Sequence, residues 1–204
     1  MTIRLHQGDL PNAALLAPIV AIDTETLGLN PHRDRLCLVQ LSWGNGDADL
    51  VQIMKGQTQA PNLQKLLGDK SVLKLFHFAR FDMAILAKTF GVMPAPVYCT
   101  KIASKLSRTY TDRHGLKDLV RELLGVEISK QQQSSDWGAD LLSDAQQNYA
   151  ASDVLYLHQL KERLDVMLAR EGRTALAGSC FSFLSTRVDL DLAGWPDTDI
   201  FSHE

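Results

Sequence analysis

Cysteine is scarce in this sequence: Cys37, Cys99 and Cys180 are the only three in 204 residues, and they stand far apart. An odd number with no C-x-x-C pair argues against a disulfide framework and against a thiolate zinc or redox site, and it fits a reducing cytoplasm. Long apolar runs are missing too. Nothing approaches the roughly 18 consecutive apolar residues of a membrane span. The opening Thr2-Ile3-Arg4-Leu5 lacks the apolar stretch of a signal peptide, so a soluble cytoplasmic protein is expected, with no membrane partner. A basic excess is also absent, the formal net charge being -3, so composition carries no footprint of nucleic-acid binding. Repeats, low-complexity tracts and linkers do not occur. What remains is a chain 45% hydrophobic and 22% charged, long enough to fold as one domain over residues 1–204 without staples.

Ile19-Val20-Ala21-Ile22, bounded by Pro18 and Asp23, has the length of a buried strand and puts Asp23 at its end. Arg35 to Trp43 and Asp49 to Met54 read as two further strands around Gly44-Asn45-Gly46-Asp47, a hairpin signal, so an antiparallel meander is expected. Pro61 to Leu67 reads as a helix with proline near its start, Val72 to Phe76 as a fourth strand, and Arg80 to Phe90 as a helix stopped by Gly91. Val97 to Thr100 makes a fifth strand. Helical patterns follow at 101–107 and 114–124. A single long helix is then expected from its N-cap Ser143 to about Glu171, with Leu157, Leu160, Leu164 and Met167 on one stripe. This order predicts an α/β fold, a mixed β-sheet flanked by helices as in the ribonuclease H-like class. The tail from about 172 to 204 (Phe181, Phe183, Leu184, Leu190, Leu192, Trp195) is too apolar for a solvated linker and is expected to pack on its own domain or on a neighbour.

Fold of this kind does not identify function; three acid constellations carry more. Asp23-Thr24-Glu25 ends a strand, and alternation puts both carboxylates on one side, where they repel unless a cation joins them. Exposed acids at a strand end are the bland alternative. Asp82 falls in a first helical turn, where the helix dipole favours an acid without any function. Tyr149 and Asp153, four apart, share a helix face one turn apart. Asp153 continues the stripe of Leu157, Leu160 and Leu164, so an acid occupies an apolar position and needs a cation or a salt-bridge partner. Together Asp23, Glu25, Asp82 and Asp153 form the oxygen set that Mg²⁺ or Mn²⁺ prefers.

This joint pattern resembles the DEDD exonuclease superfamily: D-x-E, an aspartate after a strand, and Y-x-x-x-D, whose tyrosine marks the DEDDy branch. His114-Gly115-Leu116-Lys117 and Ser134-Ser135-Asp136-Trp137 look like the corresponding stretches of ribonuclease D. Three further stretches resemble the nano-RNase C group of alphaproteobacteria: Asp23-Thr24-Glu25-Thr26-Leu27-Gly28-Leu29, Thr109-Tyr110-Thr111-Asp112-Arg113-His114 and Lys130-Gln131-Gln132-Gln133-Ser134-Ser135-Asp136-Trp137. One departure is Phe78, where many DEDD enzymes carry asparagine directly after the histidine that His77 matches.

The resemblance implies a 3′-5′ exonuclease with two divalent cations, Mg²⁺ or Mn²⁺, about 4 Å apart. Asp23 would bridge them, Glu25 and Asp153 would complete one site, and Asp82 would act through the water shell of the second. Tyr149 would orient the attacking water. It also implies RNA substrates, short oligoribonucleotides and dinucleotides including linear di-GMP, and a homo-oligomer in the form of a ring-shaped octamer. Ends of longer RNA or DNA are the alternative substrate. Thr26, Leu27 and His77 are substrate-binding candidates, with Leu27 as a wedge against the terminal bases or else an ordinary packed leucine. A local excess of seven Lys and Arg over four acids between Lys101 and Lys130 offers Arg108, Arg113, His114, Lys117 and Lys130 as candidates for holding a 5′-phosphate. A solvated helix face is the rival reading of that segment. Trp43 and Trp137 are expected in packing rather than on bases. Two other functions share parts of the pattern: a non-catalytic nucleic-acid-binding module, and a metal-dependent phosphatase.

Overall fold

The central strands carry apolar side chains on both faces, and the computed structural model, which describes residues 1–11, 17–129 and 131–203, sorts them into cores on the two sides of one sheet. The strands are β1 (Ile3–Gln7), β2 (Ile19–Thr26), β3 (Leu36–Ser42), β4 (Ala48–Gln52), β5 (Leu73–Phe76) and β6 (Val97–Cys99), in the order β1-β4-β3-β2-β5-β6. β2, β3 and β4 form the expected antiparallel meander, while β1 joins β4, and β5 joins β2 and β6, in parallel. β1 was not expected from sequence. It has only Ile3 and Leu5 to alternate, and its place is decided by pairing with β4 some 45 residues away.

β2 continues past Asp23 to Thr26, so the D-T-E triplet lies inside the strand rather than at its end; β3 supplies hydrogen bonds that carry it on, with a register shift between Glu25 and Thr26. Val20, Ile22, Val39, Leu41 and Val51 face one core with α1 (Pro61–Gly68), α2 (Ala79–Phe90) and α7 (Thr174–Ala193). Ala21, Leu38, Leu50 and Leu75 face the other side, under α5 (Asp144–Leu155) and α6 (Leu157–Arg170), with α3 (Thr100–Ser107) and α4 (Leu116–Leu124) beside them.

The expected single helix from Ser143 to Glu171 is two helices. It breaks at Tyr156, at φ −101° and ψ −6°, where α5, lying on β2, β3 and β4, gives way to α6, packed on α3 and α4. The stripe is continuous in sequence, but its two halves have different partners. Ser143 caps α5 in a full capping box with Gln146. The apolar tail forms α7, a helix of 20 residues packed chiefly on α2, with Leu184 and Val188 buried. No helix among the described residues is long and apolar enough to cross a membrane.

Candidate active site

The period of two along β2 sends Asp23 and Glu25 to the face covered by α5 and sends Thr24 to the opposite face. On α5, the cap at Ser143 sets the helix phase, and the four-residue spacing puts Tyr149 and Asp153 over those two acids. Oxygens of Asp23, Glu25 and Asp153 consequently lie within 4.8 Å of one another. Asp82 reaches the same cleft from the first turn of α2. Thr24 Oγ donates to Asp82 Oδ1 at 2.6 Å, and Gln40, register partner of Asp23 on β3, donates from Nε2 to Asp23 Oδ2 at 3.4 Å.

These acids crowd each other in a poorly solvated place. Burial pushes the Asp23 carboxyl up to about 7. Burial, then the charges of Asp23, Asp153 and Asp82, pushes Glu25 up to about 10. Asp82 is held well above the usual carboxylate range by burial and by Asp23. Burial, then the neighbouring acids and a hydrogen bond with Asp153, raises the Tyr149 phenol above its ordinary value. Trp137, 3% exposed, packs its ring 6.0 Å from that of Tyr149 and backs it from the core. An all-oxygen set whose own charges keep it protonated is one that a divalent cation would deprotonate and hold, so the residues fit Mg²⁺ or Mn²⁺.

The cleft above the acids encloses about 670 Å³. Of the residues expected to bind substrate, Thr26, Leu27, His77 and Lys117 line it. Leu27 is 54% exposed there. Thr100 donates its hydroxyl hydrogen to the Phe76 carbonyl, so its Oγ accepts from Nδ1 of His77 at 2.9 Å, which fixes that imidazole's tautomer. Arg108 is a correction: it is wholly buried, its guanidinium paired with Glu122 and donating to Ser104 Oγ and the Arg113 carbonyl, so it braces α3 and α4 rather than facing a phosphate. Arg113 and His114 do not line the cleft either, His114 Nδ1 lying 2.8 Å from Ser104 Oγ. Lys130 lies outside the described residues. Trp43 is partly buried in the first core, as expected of a packing residue.

Several cleft residues were not among those expected from the sequence to bind substrate. Phe78, Phe81, Lys101 and the stretch Gln133 to Ser135 line the cleft, and Thr24 and Gln40 stand behind its acids. For Thr24 and Gln40 a usable signal existed, since a polar residue inside an apolar strand asks for a buried partner. For the others, including Phe81 on α2 and Lys101 on α3, position comes from how separate parts of the chain pack around the cleft, which the sequence does not order.

A family model described as 3′-5′ exonuclease matches residues 8–169. Among solved structures, NrnC of Brucella melitensis with bound Mg²⁺ is 63% identical over 100% of both chains, with a TM-score of 0.96. The same protein bound to pGG is 64% identical, again over 100% of both chains, with a TM-score of 0.97. The ribonuclease D of Gluconacetobacter diazotrophicus is 38% identical over 168 residues, which are 82% of this chain and 42% of that protein. The chain thus spans about two fifths of the length of such curated relatives.

Proposed function

Given that the chain belongs to the 3′-5′ exonuclease family, we propose that it hydrolyses very short oligoribonucleotides from the 3′ end, dinucleotides including linear di-GMP above all, to nucleoside 5′-monophosphates. The observation that carries this reading is the cluster of Asp23, Glu25 and Asp153 under Tyr149, in a chain similar from end to end to a structure bound to pGG. A cleft of about 670 Å³ is in the range of a small-ligand pocket rather than of an extended groove.

Two divalent cations, Mg²⁺ or Mn²⁺, held by Asp23, Glu25 and Asp153 with Asp82 beside them, would supply the charge that activates water and stabilises the departing 3′ oxygen. The chain's own residues arrange the rest. Tyr149, a phenol whose ordinary pKa is about 10, has a hydroxyl already tied to Asp153, and it orients the attacking water. Gln40 and Thr24 fix the rotation of Asp23 and Asp82. Leu27 wedges between the two bases, and Lys117 contacts phosphate, which carries no base information. We further propose that exposed apolar side chains such as Leu29, Leu141 and Val166 are covered in a homo-octameric ring, and that the protein works in a reducing cytoplasm, which its three unpaired cysteines fit.

The test is a time course with 5′-labelled RNAs of two, three, seven and about twenty nucleotides in Mg²⁺ or Mn²⁺, with EDTA and Asp23→Ala as controls. Rapid metal-dependent loss of the dinucleotide supports the reading. Stepwise shortening of the longest RNA with dinucleotides left over replaces it with processing of longer ends, and no cleavage in either metal leaves a non-catalytic binding module.

A further inference from the structure

Phe78 stands at the N-cap of α2 with φ 71° and ψ 45°. Among the described residues it is the only one other than glycine with a positive φ. The left-handed region suits glycine and, through short polar side chains, asparagine and aspartate; a bulky aromatic side chain there is strained. A helix N-cap has no need of such a residue, since serine, threonine, aspartate or asparagine would cap α2 better and Phe78 supplies no side-chain cap at all. Nor does core packing account for it, because the residue is 47% exposed.

What the strained backbone achieves is a position. Phe78 lies on the wall of the cleft between His77 and Phe81, one helical turn before Asp82 and so about 6 Å from it along the helix axis. Lys101, on the first turn of α3 and also in the cleft wall, holds its ammonium 4.4 Å from the centre of the Phe78 ring. A 47% exposed aromatic ring with an ammonium over one face, both lining the cleft that holds the acids, is a pairing that binds a nucleotide without reading its sequence: base on the remaining face, phosphate near the ammonium. Backbone strain held at a cleft is characteristic of ligand-binding positions.

We infer that Phe78 is a base-stacking platform of this cleft, with Lys101 as its phosphate-facing companion, and that it favours purines because the larger ring system covers more of its face. The inference deepens the dinucleotide reading given above and rests on it for the identity of the ligand. It also makes Phe78 responsible for substrate affinity at the expense of local backbone comfort, so affinity and stability should respond to substitution in opposite directions.

The experiment is a stopped-flow titration of a ribodinucleotide containing 2-aminopurine, whose fluorescence is quenched on stacking, read beside melting curves of the wild-type chain, Phe78→Tyr and Phe78→Asn. Quenching is expected in the wild type and in Phe78→Tyr. In Phe78→Asn it should be lost, with apparent affinity weakened about tenfold or more, while Tm stays level or rises because asparagine accepts the left-handed backbone. Unlabelled pGpG should compete better than pCpC. No quenching in the wild type, or equal quenching and affinity in Phe78→Asn, overturns the inference, as does a Phe78→Asn chain that loses stability and keeps affinity. Cleavage of the dinucleotide, followed separately, decides the substrate reading: a chain that quenches but does not cleave dinucleotides loses that reading and keeps its platform.

Discussion

Thr24 and Asp82, 58 residues apart, are joined by a 2.6 Å hydrogen bond from a threonine hydroxyl on β2 to a buried carboxylate on α2. Thr24 sits between Asp23 and Glu25, so a single strand segment offers two acids on one face and, on the other, the donor that orients a third. Removing the hydroxyl leaves a buried carboxylate oxygen without that donor, which costs about 1–3 kcal/mol. Thr24→Val should lower kcat by about 10- to 100-fold and raise the Mg²⁺ concentration needed for half-maximal rate. Thr24→Ser should restore most of both. Equal rates in Thr24→Val and wild type would deny Thr24 this role.

The acid cluster trades stability for chemistry. Glu25 is pressed by burial and by Asp23, Asp153 and Asp82, so Glu25→Gln should abolish hydrolysis and yet stabilise the metal-free chain. A gain of about 1 kcal/mol would appear as a rise in Tm of about 2–4 °C. A lower Tm in this variant would show that the carboxylate is satisfied without a cation.

Acid pKa values raised by folding, to about 7 for Asp23 and about 10 for Glu25, mean that the folded chain binds more protons than the unfolded one above pH 4. The stability linked to these groups is fully present below their unfolded values near 4 and is lost as pH rises through 7 and then 10. Metal-free protein should therefore melt at lower temperature at pH 8 than at pH 5.5. Saturating Mg²⁺ should raise Tm more at pH 8 than at pH 5.5, since protons compete with the cation at the lower pH. Calorimetry at the two pH values, with and without EDTA, measures this, and a Mg²⁺ gain independent of pH would contradict it.

Arg108 and Lys117 should separate cleanly. Breaking a buried ion pair costs about 3–5 kcal/mol. Because Glu122 is 38% exposed, Arg108→Met should cost less, about 2–3 kcal/mol, with KM unchanged in the protein that remains folded. Lys117→Ala should leave Tm within about 2 °C, since substitutions away from core packing and buried networks change stability by about 0.5 kcal/mol, and raise KM. Denaturant titration together with initial rates distinguishes the two patterns; the reverse assignment would return Arg108 to the phosphate site.

Asp191 on α7 accepts from Arg80 at 2.6 and 2.7 Å and from Arg187 at 2.7 and 3.0 Å, and Arg80 is two residues before Asp82. Asp191→Ala leaves two guanidinium groups without their carboxylate and should cost about 1–3 kcal/mol. Arg80 also donates to the Pro196 carbonyl, so the end of α7 is fastened to the helix that carries Asp82. Hydrogen exchange should show the first turn of α2 opening more readily in this variant; unchanged protection there would confine the effect to α7.

The sequence by itself determined what depends on local chain geometry. A period of two fixes Asp23 and Glu25 on one face of a strand, a spacing of four fixes Tyr149 and Asp153 on one face of a helix, and Ser143 marks where that helix begins. The meander around Gly44 to Asp47 and the stop at Gly91 are local in the same sense. Only the tertiary structure decided how those faces meet. β1 exists because β4 is there to pair with it, and the break at Tyr156 arises because α5 and α6 pack on different partners. Arg108 reads as a surface cation until α3 and α4 close over it, and nothing in the letters around Phe78 requires a left-handed backbone. The physical reason is range: backbone periodicity acts over a few residues, whereas burial, charge crowding and strain come from groups brought together from distant parts of the chain.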